Sequence, residues 1–202
     1  MTNKIQQRSE QMLSVETKKD YIIEGYALLF ERYKLFEDDG LDYYEKIERD
    51  ALENADFSDV ALKLEHQGIV YARVKNGSLK YTIDSKGLYI KADLSTTEQG
   101  KELYNMIKQN LYDSMSWAFT IREEEYDVKT RTRIIKKVKK IYDVAIVHCG
   151  ANPATSVSAR DWLSGVSEPI MQEMQERAAL IENIKRKVGK LNNDIIRQAT
   201  TD

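Results

Sequence analysis

The sequence predicts an α+β protein: a domain of short, mostly antiparallel strands, followed by one long helix. Three observations predict it. Val60, Leu62 and Leu64 alternate with Ala61, Lys63 and Glu65, the period of a half-buried strand. Three further strand-like runs follow, punctuated by Asn76-Gly77 and Lys86-Gly87, and Asn-Gly between alternating segments signals a hairpin. Toward the C-terminus Ile170, Met174, Arg177, Ile181, Ile184, Val188, Leu191 and Ile195 recur alternately at four and three residues, a heptad seam with one basic interruption.

In chain order, residues 1–20 are polar and lack apolar periodicity apart from Met12, Leu13 and Val15, so they read as a flexible arm or a frayed helix. Tyr21 to Phe30 is β-branched and aromatic, a strand with a bulge or close backbone approach at Gly25. From Glu31 to Phe57 the pattern is irregular and acidic, with a turn at Asp39-Gly40 and a short helix expected from Tyr44 to Ala55. The alternating strand from Val60 then ends by delivering His66. Ile69 to Lys75, Ser78 to Asp84 and Leu88 to Leu94 are the three short strands. Ser95 or Thr96 can cap a helix from about Thr97 to Gln109, whose stripe is Leu103, Met106, Ile107 and Leu111. Tyr112 to Arg122 returns to strand character. Residues 123–142 read as a ribbon in which Glu123, Glu124 and Glu125 face the basic run from Arg131 to Lys140, opposite charges that favour pairing. The last strand, Ile141 to Cys149, leads into Gly150-Ala-Asn-Pro-Ala-Thr155, and after Pro169 the heptad helix begins. The expected organisation is therefore an arm over 1–20, a globular domain over 21–165 and an amphipathic helix over 166–202.

Composition excludes several classes. The 202 residues carry 31 Lys+Arg against 33 Asp+Glu, a formal charge of -2, which gives no general attraction to nucleic acid or anionic membranes. The one cysteine cannot form an internal disulfide, which points to a reducing compartment. With two histidines and that cysteine, a four-ligand zinc-finger site is not expected. No apolar run approaches the roughly 20 residues that span a bilayer, and the polar N-terminus shows no apolar core of an export signal.

The scarcity of histidine narrows the search for chemistry. A serine hydroxyl becomes a good nucleophile when a neighbouring imidazole removes its proton, and only His66 or His148 could be that base. His66 stands where a strand pattern ends, a rigid place from which to hold a side chain; the plainer reading is a surface histidine. The serines in an apolar setting are Ser114 and Ser116. On a strand they share one face with Ala118, while Met115, Trp117 and Phe119 take the other and anchor it. An edge strand with solvated serines fits the same pattern. Cys149 beside His148 is a poor pair, because adjacent strand residues face opposite ways.

Five segments then carry a resemblance. Gly25-Tyr-Ala-Leu-Leu-Phe30, Leu64-Glu-His66-Gln with Ala72-Arg73 beyond it, Gly87-Leu-Tyr-Ile-Lys-Ala-Asp-Leu94, Ser114-Met-Ser116-Trp-Ala-Phe119, and Tyr142-Asp143-Val-Ala-Ile-Val-His-Cys-Gly-Ala-Asn-Pro153-Ala follow the order of the tailed-bacteriophage prohead maturation proteases. The chain resembles that family over about residues 21–160. The family is similar in fold to the herpesvirus assemblins, so the resemblance implies an antiparallel β-barrel flanked by helices, with 21–165 as a serine protease domain. It implies His66 as general base and Ser116 as nucleophile, with Ser114 as the fallback. An acidic residue before the last strand, here Asp143, would orient the histidine; the herpesvirus enzymes use a second histidine there, which makes His148 the second choice. A straight strand turns Asp143 and His148 to opposite faces, so the two do not serve one site together. The family's usual Thr, aromatic and Pro are replaced here by His148, Cys149 and Gly150. The paired arginines of the herpesvirus oxyanion site have no obvious counterpart; Arg160 lies in the same broad region, after Asn152-Pro153, and a backbone N–H is the first expectation for that role.

The implied activity is hydrolysis of peptide bonds in the scaffolding segment of the major capsid protein, and in the protease itself, inside an assembling procapsid in the host cytoplasm. It needs no cofactor and no metal. The heptad helix would dock on a coiled-coil scaffold, pair with a second copy, or pack on its own domain. A catalytically inactive capsid-assembly protein of the same fold is the alternative. A nucleic-acid-binding module has only the Arg131 to Lys140 run in its favour, and the facing glutamates largely neutralise that run.

Overall fold

β-branched and aromatic residues share the interior with Leu and Ala, and most of the described chain forms strands. The computed structural model describes residues 6–14, 16–38, 40–148 and Arg186. In chain order these form β1 (Gln6–Ser14), β2 (Glu16–Thr17), β3 (Ile22–Leu29), β4 (Tyr33–Asp38), β5 (Leu41–Ile47), β6 (Ala61–Leu64), β7 (Gln67–Arg73), β8 (Leu79–Ile83), β9 (Gly87–Asp93), α1 (Glu98–Lys108), β10 (Ser114–Asp127) and β11 (Thr132–Val147). The class is α+β. Arg186 is helical, but the expected heptad helix otherwise lies outside the described residues, as do Cys149, the 150–155 segment and Arg160.

The strands form two sheets, and the expected closed barrel is corrected to this open, mixed arrangement. One sheet has the order β1-β10-β11-β5-β4, with β6 and β7 attached beside β11; the other has the order β2-β3-β9-β8. Closure needs every edge paired at one consistent tilt and stagger. Here the far edge of the 16-residue β11 is shared by two short strands that both run parallel to it, β5 along Thr132–Ile135 and β6 along Asp143–Ile146. The expected surround of helices is α1 alone among the described residues. One core joins the elements: Leu28 and Ile90 from the small sheet, Leu103 from α1, and Trp117, Phe119, Ile141 and Val144 from the large one.

Several local expectations change for identifiable reasons. The polar segment read as an arm runs as β1 antiparallel to β10, with Ser9 opposite Ser116. The helix expected over 44–55 is instead β5 followed by turns. Its period of two is disguised because the inward positions are Glu45 and Ile47, both fully buried. Glu45 is charge-compensated by Arg133, itself only 2% exposed, whose guanidinium also meets Glu124 at 2.5 Å. Breaking a buried pair by removing one partner leaves an uncompensated charge, so Arg133→Met is expected to lower stability by about 3 kcal/mol or more, read from the urea midpoint. The double variant Glu45→Leu/Arg133→Met should recover much of that loss.

Asn76-Gly77 does not close a hairpin, because β7 and β8 belong to different sheets. It ends a 3-10 turn over Val74–Asn76, with Gly77 at φ 79°, and carries the chain from one sheet to the other. The β8–β9 connection does form over Asp84 to Gly87. A Cβ on Gly87 would stand 1.8 Å from the Leu28 carbonyl oxygen, in backbone that cannot step aside. Gly87→Ala should therefore cost about 3 kcal/mol, visible as a lowered thermal midpoint. Helix α1 is capped by Thr97, whose Oγ1 accepts the Gly100 N–H at 3.0 Å, a position or two beyond the expected cap.

The charged ribbon forms as expected. Glu123 stands opposite Lys137, and Glu124 and Glu125 lie opposite Ile135 and Ile134. Lys137 meets Glu123 at 2.5 Å and holds its carboxyl below the usual carboxylate range. Lys136 likewise pairs with Glu125.

Candidate active site

β10 is fixed by its large side chains. Met115, Trp117 and Phe119 are fully buried on one face, the two rings stacked with centroids 3.7 Å apart. That anchoring sets the opposite face, which carries Ser114, Ser116 and Ala118. In the antiparallel ladder with β11, Ser116 pairs with Ala145 and Ala118 with Asp143, so Asp143 shares the face of Ser116 as its diagonal neighbour. Strand β6 adds to the other side of β11 in parallel, Ala61 opposite Asp143 and Leu64 opposite Ile146.

β6 and β7 are joined by a two-residue turn, with Leu64 paired to Gln67. Its residues are Glu65 at φ 50° and His66 at φ 59°, both left-handed. This is the shape of a tight hairpin turn, usually occupied by Asn-Gly, and each non-glycine residue held there costs about 1–2 kcal/mol. The turn sends the imidazole back over β11. His66 Nδ1 lies 2.5 Å from Asp143 Oδ1, and His66 Nε2 lies 2.6 Å from Ser116 Oγ. A carboxylate can only accept, so Nδ1–H donates to Asp143, and Nε2 of the neutral ring is left to accept the Ser116 hydroxyl proton. The group is sheltered: Ser116 is 3% exposed and Asp143 7%.

The remaining candidates lie elsewhere. Ser114 is buried, and its hydroxyl donates to Asp113 Oδ1 at 2.7 Å rather than reaching a histidine. His148 sits just beyond β11, largely exposed, with Nδ1 2.7 Å from Glu65 Oε1. Two neighbours were not singled out by the sequence. Lys63 Nζ stands 4.0 Å from Asp143 Oδ2; the alternation that put Lys63 opposite Leu62 and Leu64 was the available signal, and it read as a solvent face. Glu65 binds the segment after β11, and nothing in its spacing announced that. Among the described residues, no three His, Cys, Asp or Glu side chains are grouped to hold a metal ion, and no helix is long and apolar enough to cross a membrane.

A carboxylate, an imidazole and a serine hydroxyl hydrogen-bonded in line form the arrangement through which serine hydrolases activate their nucleophile, and it recurs on unrelated folds. Which hydrolase class this α+β scaffold carries is settled by a broader match. The family model of the caudovirus prohead serine proteases matches residues 5–175, and the chain belongs to that family. It is thus a serine peptidase of phage capsid maturation, a class that acts within the procapsid. No curated protein and no solved structure matches the chain.

Proposed function

We propose that this protein cleaves the scaffolding segment of the major capsid protein, and its own chain, with Ser116 as nucleophile, His66 as general base and Asp143 as the group that orients His66. The observation that carries the reading is the continuous contact from Asp143 Oδ1 through the two ring nitrogens of His66 to Ser116 Oγ, at 2.5 and 2.6 Å.

In the first step His66 Nε2 takes the hydroxyl proton as Ser116 Oγ bonds to the scissile carbonyl carbon, forming a tetrahedral oxyanion. The imidazolium formed is stabilised by Asp143 and passes its proton to the leaving amine as the C–N bond breaks. Water then attacks the acyl-enzyme, again giving up its proton to His66, and the new carboxyl end departs as Ser116 regains its hydrogen. Metal and cofactor take no part in this sequence of proton transfers.

Co-expression with the capsid protein, followed by intact-mass measurement, tests the reading. The expected result is a capsid protein shortened by its scaffolding segment, together with covalent labelling of the full-length protease by diisopropyl fluorophosphate on the peptide containing Ser116. A capsid protein of unchanged mass and a protease that takes no label would replace this reading with the inactive assembly protein.

A further inference from the structure

We propose that Glu65 and His148 are positioning residues that hold His66 in register, by tying the turn that carries it to the end of the strand that carries Asp143. The inference rests on His66 being the base, and it gives His148 a role distinct from that of an alternative triad member.

The need for a tether follows from the turn itself. Glu65 and His66 are consecutive non-glycine residues at φ 50° and 59°, a conformation that relaxes unless its surroundings over-determine it. Gly68, also at positive φ, leaves the start of β7 little intrinsic stiffness, and Gln67 to Val70 are exposed. Beyond the Leu64–Gln67 pairing with β7, a second restraint comes from the other side. Glu65 N–H donates to the Ile146 carbonyl at 3.0 Å, extending the β6–β11 ladder by one bond. Glu65 Oε1 then accepts twice from His148, from the backbone N–H at 3.0 Å and from Nδ1 at 2.7 Å. The ring of His148 is approached edge-on by Tyr112, centroid to centroid 6.5 Å, from the segment leading into β10.

Three contacts thus fasten the residue next to His66 onto Ile146 of β11 and His148 just after it, and β11 also supplies Asp143. Glu65 and His148 side chains are 35% and 69% exposed, so the pair adds little to global stability. Its effect is local. Misplacing a reacting group by about 1 Å can cost about a hundredfold in rate, and a freed left-handed turn at His66 moves the imidazole by distances of that order.

The test uses the full chain and diisopropyl fluorophosphate, whose reaction reports Ser116 activation without knowledge of the cleavage site. The limiting inactivation rate and the apparent inhibition constant are measured separately, with the label mapped to Ser116. Glu65→Ala is expected to slow the limiting rate about tenfold or more, with the inhibition constant within about twofold of wild type. Glu65→Gln keeps an acceptor oxygen for the His148 N–H and should recover most of the rate. His148→Ala removes only an exposed ring, so it tests the same contact without burdening the fold, and should be about threefold slower. A downfield proton resonance of His66 Nδ1–H is expected in wild type, and it should broaden in Glu65→Ala and return in Glu65→Gln. Wild-type rates in Glu65→Ala or in His148→Ala would overturn the proposal, as would Glu65→Gln being as slow as Glu65→Ala. In each of those cases, labelled wild-type enzyme leaves the catalytic assignment standing; wild-type enzyme that takes no label at Ser116 overturns both.

Discussion

Ser116→Ala is expected to leave the capsid protein full length and to lower the cleavage rate by about a millionfold, the scale on which removing a serine nucleophile abolishes covalent catalysis. The substitution deletes one oxygen from a side chain in a buried strand that Met115, Trp117 and Phe119 anchor from the other face, so the fold should persist. The companion variant sharpens the result. Ser114 lies on the same face of β10, but its hydroxyl is committed to Asp113 at 2.7 Å. Ser114→Ala should therefore cost about 1 kcal/mol of stability through the lost hydrogen bond and leave the cleavage rate within about threefold. Processing that survives Ser116→Ala and stops in Ser114→Ala would move the nucleophile to the other serine. Intact-mass measurement of capsid protein co-expressed with each variant distinguishes the two outcomes.

The contrast between these serines marks where sequence reasoning runs out. Period-two alternation puts Ser114 and Ser116 on one face, yet it cannot say which of them a histidine meets, because that depends on where β6 ends relative to β10. Two facts fix it: β6 joins β11 in parallel with Leu64 opposite Ile146, and a left-handed pair at Glu65 and His66 turns the ring back. Neither is legible locally, since parallel pairing leaves no turn signature and Glu-His lacks the usual residues of a tight hairpin. Asn76-Gly77 shows the converse, with the chemistry of a hairpin spent on a passage between sheets. The strand alternation around His66, the capped helix α1 and the charged ribbon were legible because each is decided by neighbours close in sequence. The strand β5 was not, because burying Glu45 against Arg133 placed a charge where the pattern called for an apolar residue. Closure of the sheet was likewise misjudged from the resemblance, since it depends on how many strands share the far edge of β11.

Parity along the strand says that Asp143 and His148 cannot serve one site together; the register of β11 on β10 decides between them, and it puts Asp143 on the side of Ser116. The corresponding expectation is that Asp143→Asn lowers kcat by about ten-thousandfold with little change in KM. Asparagine matches aspartate in size and leaves the β10–β11 ladder unaltered, so the thermal midpoint should move by only a few degrees. What changes is the proton on the ring. The carboxylate accepts from Nδ1 and leaves Nε2 free to take the Ser116 hydrogen, whereas the amide NH2 can donate to Nδ1 and place the ring hydrogen on Nε2. In that tautomer His66 faces Ser116 with a donor and cannot act as its base. The substitution also removes the charge that, in the proposed mechanism, would stabilise the His66 imidazolium, and with it the attraction to Lys63 Nζ at 4.0 Å. His148→Ala, by contrast, should show the modest loss of a positioning contact. A reversal of that order, with His148→Ala down by thousands and Asp143→Asn within tenfold of wild type, would assign the orienting role to the histidine.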